Sequence, residues 1–239
     1  MENLIDNYPL VWKKKNFSIK IFCSIPNIAT GILLSASNKY FLVDPGDGML
    51  RDLDIELSQK KIKSINNIFI THGHHDHVGG VWSLLTYLKV VRKKSALNIH
   101  YPTGCVEIES IIKAFCSVYD LTIPYKINLK PISTNKKFVA DTMSVIPFEV
   151  IHHEHKMSGT KTQRVPALGY KFIYEGKSIC YGGDTAYCDS LAEMAKDSDL
   201  AIIEAGNKNE KESEMHMSQL QAAAVGNLAK KYFLVHVPK

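Results

Sequence analysis

Thr71-His72-Gly73-His74-His75-Asp76-His77 places four histidines and an aspartate within six consecutive residues. Core packing has no use for such a density of polar rings. Metal binding does, because neutral imidazole and carboxylate are donors suited to zinc, manganese or iron. His72 and His74 alternate by two, so in an extended segment they point the same way, and Asp76 and His77 follow closely enough to serve a second ion. Two neighbouring ions can share a hydroxide and clamp both oxygens of a displacement. Residues of the same kind close other short apolar runs: His152 after Phe148-Glu149-Val150-Ile151, Asp184 after Gly182-Gly183, and His236 after Tyr232-Phe233-Leu234-Val235. Groups delivered by separate strand ends can converge on one edge of a layered structure, where scaffolds tend to carry binding residues.

The positioning elements follow from periodicity and turn residues. Strands are expected at Ile19 to Phe22, Ala29 to Leu34, Lys39 to Val43, Ile68 to Ile70, Leu97 to Tyr101, Phe138-Val139, Met143 to Ile151, Leu200 to Ile203 and Tyr232 to Val235. Pro166 to Tyr174 and Ser178 to Tyr181 read as a hairpin turning at Glu175-Gly176-Lys177. Helices are expected from Met49 to Lys63, Val81 to Lys94, Val106 to Tyr119, Ser190 to Lys196 and Gln219 to Lys231. Ser218 is placed to cap the last of these. Lys156 to Arg164 and residues 207–215 read as polar loops. Lys208, Lys211 and the basic end of the Val81 helix (Lys89, Arg92, Lys93, Lys94) read as solvated charge. With no internal linker or low-complexity tract, residues 1–239 are expected to form a single layered α/β domain.

Composition narrows the class. Net charge is +5, a mild excess that permits an anionic substrate without demanding one. The five cysteines, Cys23, Cys105, Cys116, Cys180 and Cys188, are odd in number and lack CxxC spacing, which predicts reduced thiols and a cytoplasmic location. Met1 to Asp6 lacks the layout of a signal peptide, and no run is long and apolar enough to span a membrane.

The run His72-Gly73-His74-His75-Asp76-His77 resembles the HxHxDH signature of the metallo-β-lactamase superfamily. Asp44-Pro45-Gly46-Asp47 resembles that family's early strand-turn, and Gly183-Asp184-Thr185 its bridging-aspartate segment. Ile203-Glu204-Ala205, His216-Met217-Ser218 and Leu234-Val235-His236 resemble the tRNase Z-like branch, as does the stretch from Ile99 to Pro131. The resemblance implies a four-layer αββα sandwich with the site along one edge. It implies two divalent ions, zinc foremost with manganese or iron as alternatives. His72, His74, His152 and Asp184 would hold the first ion, and Asp76, His77, Asp184 and His236 the second. It further implies a metal-dependent phosphodiesterase in which a metal-bridging hydroxide attacks phosphorus, Asp76 orients or deprotonates the water, and His216, paired with Glu204, protonates the leaving oxygen. His153 competes with His152 for the third position of the first ion, and His75 reads as a structural loop residue. The family's frequent dimerisation makes a homodimer an expectation.

One departure limits the substrate. Full tRNase Z enzymes insert a long tRNA-gripping arm before the Gly-Asp-Thr segment, where this chain has only a hairpin. Specific tRNA processing is therefore doubtful, and a small phosphodiester or a nucleic-acid end is the expected substrate. A glyoxalase II-type thioesterase keeps the same HxHxDH run and is the alternative within the superfamily. A non-catalytic, metal-binding regulatory protein is the alternative from another class.

Overall fold

The structure, a computed structural model, describes residues 8–134, 136–155, 162–208 and 213–238. The amino-terminal stretch from Met1, most of the Lys156–Arg164 loop, and Lys211 lie outside these residues. The chain divides into two compact units, one from Tyr8 to Ile132 and one from Ser133 onward.

In the first unit, β1 (Leu10–Lys14), β2 (Phe17–Ile25), β3 (Ala29–Ala36), β4 (Lys39–Val43), β5 (Asn67–Phe69), β6 (Leu97–Pro102) and β7 (Ile127–Ile132) form one sheet in chain order. β1 to β4 pair antiparallel, and β4 to β7 pair parallel. The parallel pairs need crossovers, supplied by α1 (Met49–Glu56) with α2 (Gln59–Lys63), α3 (His75–Val78) with α4 (Val81–Val90), and α5 (Val106–Tyr119). Alternation puts Leu33, Leu42, Ile68 and Ile99 in one cross-strand row, in a core with Leu53, Leu84, Leu85, Leu88, Ile108 and Phe115 of the helices. Each such side chain contributes roughly 1.5–3 kcal/mol by leaving water. The opposite face, with Ile32, Val43, Phe41 and Phe69, is buried too, as expected where parallel strands read as continuous apolar runs.

Three expectations for this unit need correction. The helix expected from Met49 to Lys63 is two helices, because Leu57 is extended (φ −124°, ψ 143°) and Ser58 opens α2. Leu57 and Ile62 are both buried but five apart, a step that one continuous helical face cannot make. The Val81 helix ends at Val90, and Arg92 adopts a left-handed φ of 55°. That reversal turns Lys93 inward. Its side chain is fully buried, and Nζ donates to Lys63 O, Asn66 Oδ1 and Ser95 Oγ, each at 2.8 Å. It is a structural cation, not solvated charge. Strands β1 and β7 lack a sequence-level signal because both are edge strands, carrying Lys13 and Lys14 in one and Pro131 in the other.

In the second unit, β8 (Phe138–Ala140), β9 (Met143–Glu149), β12 (Leu168–Tyr174), β13 (Lys177–Tyr181), β14 (Leu200–Glu204) and β15 (Tyr232–Val235) form a sheet in the order β15-β14-β13-β12-β9-β8. β10 (His153–His155) and β11 (Thr162–Arg164) pair separately, so the last three residues of the expected 156–164 loop are a strand. β13, β14 and β15 are parallel, joined by α6 (Asp189–Ala195) and α7 (Gln219–Gly226). Cys180, Ala201 and Ile203 pack with Leu191, Ala195, Ala222 and Val225 of those helices. The β12–β13 hairpin turns through Glu175 (φ 46°) and Gly176 (φ 70°), the geometry of a type I′ turn. Between Tyr174 and Lys177 there is no room for an inserted arm. Ser218 and Gln221 form a reciprocal capping box, but α7 stops at Gly226, five residues earlier than expected. A Cβ at Gly226 would stand 2.5 Å from the Tyr232 ring, so the helix ends where β15 must approach.

Replacing Lys93 by Met would remove the buried cation that joins the half-buried Lys63 carbonyl and Asn66 side-chain oxygen to the exposed Ser95 hydroxyl. The variant is expected to lose about 2–3 kcal/mol in urea unfolding, whereas Lys60→Ala on exposed α2 should stay within about 0.5 kcal/mol. Equal stability of the two would refute the structural role of Lys93.

Candidate metal centre

The candidate residues of the first unit stand at the carboxyl ends of two neighbouring parallel strands, where α/β sheets place ligands. β4 is followed directly by Asp44, in a left-handed conformation (φ 45°), and β5 leads through Ile70 into Thr71-His72. Asp44 is fully buried, a placement that requires donors. Oδ1 accepts from Thr71 N at 2.7 Å, and Oδ2 accepts from Thr71 Oγ1 at 2.6 Å and pairs with His77 Nδ1 at 2.9 Å. One carboxylate therefore ties both ends of the histidine loop to the sheet.

The same bonds assign tautomers. A carboxylate only accepts, so His77 carries its proton on Nδ1 and turns Nε2 toward the site. The Thr71 hydroxyl proton is committed to Asp44, so Thr71 Oγ1 accepts from His72 Nδ1 at 3.1 Å. His72 then also presents Nε2. The His72 ring centroid lies 4.7 Å from that of His74 and 4.1 Å from that of His77. His74 precedes α3 in extended backbone, and its carbonyl accepts from His77 N at 2.9 Å and Val78 N at 3.1 Å. This turn buries Asp76 and His77 and leaves His75 exposed. Asp76 Oδ2 accepts from Asn27 N at 2.9 Å. Gly46 makes the approach possible: a Cβ there would stand 1.9 Å from Asp76 O and 2.6 Å from Thr30 O.

The second unit repeats this construction. Asp184 follows β13, Glu204 ends β14 and His236 follows β15, so three parallel strands deliver three candidate groups at one end. His236 Nε2 lies 3.1 Å from Asp184 Oδ2, with both residues buried. Glu204 is the counterpart of Asp44. Its Oε1 accepts from Met217 N at 2.8 Å and Thr185 N at 3.2 Å, and its Oε2 accepts from Gly206 N at 2.6 Å. His216 Nδ1 stands 3.4 Å from Glu204 Oε2 and 3.8 Å from Asp184 Oδ2. Glu204 thus grips the backbone on both sides of the site and faces the His216 ring at longer range.

Thr185 links His152 to this framework. Its backbone is held by Glu204, while its Oγ1 accepts from Ile151 N at 3.0 Å and lies 3.0 Å from Ile151 O. His152 Nδ1 donates to Met215 O at 2.9 Å, an acceptor that leaves no tautomeric choice, and again Nε2 is the metal-competent nitrogen. The His152 ring is fully buried, its centroid 5.4 Å from that of His216. His153, by contrast, belongs to the β10–β11 ladder, is partly exposed, and donates to Glu214 O.

Within each unit the sequence-expected donors are brought together: His72 with His74, Asp76 with His77, and Asp184 with His236, each pair with ligand atoms within 4.8 Å. The chemistry of the set fits divalent metal. Imidazoles whose Nδ1–H is fixed by Thr71, Asp44 or Met215 offer Nε2 lone pairs beside buried carboxylates. The positioning roles of Asp44, Thr71, Thr185 and the Met215 carbonyl were not legible beforehand. For Asp44 the available signal was an acidic residue directly after the apolar run Phe41-Leu42-Val43, ahead of Pro-Gly.

A family model described as a beta-lactamase superfamily domain matches residues 39–237. Ribonuclease Z of Methanothermobacter thermautotrophicus is 24% identical over 252 aligned positions, covering 87% of this chain and 80% of the relative. Among solved structures, the metallo-β-lactamase-fold protein YhfI of Bacillus subtilis matches with a TM-score of 0.75 and 18% identity, over 95% of this chain and 88% of that one. The short form of human tRNase Z matches at 0.72 and 21% identity, over 92% of each chain. These likenesses show the metallo-β-lactamase fold expected from the sequence.

Asp44→Asn keeps the size of the side chain but makes one oxygen an NH₂ that opposes the donors facing it. Zinc affinity, measured by competition with a chromophoric chelator, is expected to fall about 10- to 100-fold. Unchanged affinity would show that His77 needs no orientation by Asp44.

Proposed function

The chain belongs to the beta-lactamase superfamily and is a metal-dependent hydrolase, and from that premise we propose that it cleaves phosphodiesters with two divalent ions, zinc foremost. In this reading His72, His74, His152 and Asp184 hold one ion, and Asp76, His77, Asp184 and His236 hold the other, with the whole chain acting as one hydrolase domain. When bound, such ions supply an activated water at neutral pH and neutralise charge on the phosphoryl oxygens.

The observation that carries the phosphodiester reading is the arrangement of His216 beside Asp184 and Glu204. Its Nδ1 edge faces both carboxylates, so its Nε2 edge is the one that delivers a proton to a departing alkoxide. The His216 side chain is 21% exposed, whereas Glu204 is 1% exposed. His216 is therefore the member of the pair that a substrate can meet, and Glu204 acts through it as a positioning residue. Asp76, with one oxygen held by Asn27 N, orients the attacking water. The thioester reading is not favoured, since relatives of this chain include ribonuclease Z proteins. The short β12–β13 hairpin supports a substrate other than a whole tRNA gripped by an arm. Cysteine usage supports a cytoplasmic location. Among the described residues no helix is long and apolar enough to cross a membrane.

Chelator-dialysed protein is expected to lose hydrolysis of bis(p-nitrophenyl) phosphate and to regain it with zinc or manganese, at about two ions per chain by elemental analysis. Activity on thioesters but on no diester would overturn the proposal. His216→Ala should lower kcat about 10²-fold on a dinucleotide, whose alkoxide leaves poorly. The loss should be far smaller on bis(p-nitrophenyl) phosphate, whose phenolate leaves without a proton. Equal losses on both substrates would remove His216 from the acid role.

A further inference from the structure

The positive charge of this chain is not spread evenly. Residues 8–132 carry sixteen Lys and Arg against nine Asp and Glu, whereas residues 133–239 carry thirteen of each. Within the first unit, part of that excess gathers on one stretch of sheet. The face of β3 to β6 that carries Leu33, Leu42, Ile68 and Ile99 is apolar and covered by helices. Continued outward through the register, the same face changes character. Leu33 pairs with Lys20, which pairs with Val11, and the adjacent row runs Tyr40, Ser35, Ser18 and Lys13.

This outer stretch forms a groove of about 410 Å³, walled on one side by Glu56, Leu57 and Lys61 at the α1–α2 junction. Four of its lining residues are lysines: Lys13, Lys15, Lys20 and Lys61. Its one acid, Glu56, is bonded to Lys20 at 2.6 Å. The floor and rim offer Ser18, Ser35, Asn16 and Asn38 as hydrogen-bonding groups, and the Tyr40 ring with Lys61 Nζ 5.6 Å from its centroid. Lys13 and Lys20 are diagonal neighbours on one face of an antiparallel pair, on the order of 7–8 Å apart at Cα. Adjacent phosphates of one strand can meet both.

We propose that this lysine-lined groove binds the phosphodiester backbone of a single-stranded nucleic acid, independently of the residues that cleave. Lysines on flexible stems with neutral polar groups between them suit a repeating anion read without base specificity. The groove's concavity and lack of a large apolar wedge disfavour a membrane surface. It rests on the phosphodiester reading only for the class of its ligand.

The test is fluorescence anisotropy of a labelled single-stranded RNA oligonucleotide with the full-length, chelator-treated protein, so that binding is read without cleavage. The Lys13→Gln/Lys15→Gln/Lys61→Gln variant is expected to bind about 10-fold more weakly, with the slope of log K against log salt shallower by about 2. A charge-matched control, Lys113→Gln/Lys126→Gln/Lys130→Gln, should bind nearly as the parent does. Glu56→Gln should tighten binding two- to threefold or so, a gain that misfolding cannot mimic. Hydrolysis of bis(p-nitrophenyl) phosphate should be unchanged in all three metal-loaded variants. Equal loss in the two triple variants would overturn the groove, as would binding that moves only with phosphatidylserine vesicles. Groove-dependent RNA binding by a protein that hydrolyses no diester would refute the reaction while leaving the groove standing.

Discussion

A carboxylate can be buried only if donors come to meet it, and this requirement organises the candidate ligands within each unit. Asp44 in one unit and Glu204 in the other are almost wholly excluded from solvent, and each lies at the end of a parallel strand. Asp44 draws in the Thr71 amide, the Thr71 hydroxyl and the His77 imidazole. Glu204 draws in the amides of Thr185, Gly206 and Met217. In each case the donors lie in the loops that carry the metal-competent residues. The energy that makes an unsatisfied carboxylate intolerable is thereby used to fix the positions of His72, His77, Asp184 and His216.

The tautomers follow from the same bonds. A histidine can present either ring nitrogen, and the choice is made by what the other nitrogen meets. His77 meets a carboxylate, His152 meets a carbonyl, and His72 meets a hydroxyl whose proton is already committed. All three consequently present Nε2. Within each unit the tautomer is thus set by the protein's own hydrogen bonds.

The elements were readable in proportion to how much of their burial was periodic. The helix Val106–Tyr119 falls where the pattern predicts it because it buries Ile108, Ile112 and Phe115 on one face, and the strands Lys39–Val43 and Tyr232–Val235 do so because each is a short apolar run between turn residues. Helix ends were less legible. The break at Leu57-Ser58, the reversal at Arg92 and the stop at Gly226 are decided by neighbours that the local pattern does not contain. Lys93 shows the same limit for charge. A lysine in a basic run looks solvated until a left-handed residue before it turns it toward the carbonyl of Lys63 and the amide of Asn66. Edge strands β1 and β7 were invisible because an edge need not be apolar.

The chemistry of this protein was determined by its sequence alone. Donor types and their spacing specify metal ions, and imidazole at His72, His74 and His77 with carboxylate at Asp76 has no comparable structural use. The tertiary structure decided which groups hold those donors in place. Asp44 lies 27 residues from Thr71 and 33 from His77, and Glu204 lies 13 from Met217 and 19 from Thr185. It also separated a fully buried His152 from its partly exposed neighbour His153 and placed the lysines of β1, β2 and α2 in one groove. Such relations arise from strand register and burial, which bring together residues that the linear order keeps apart.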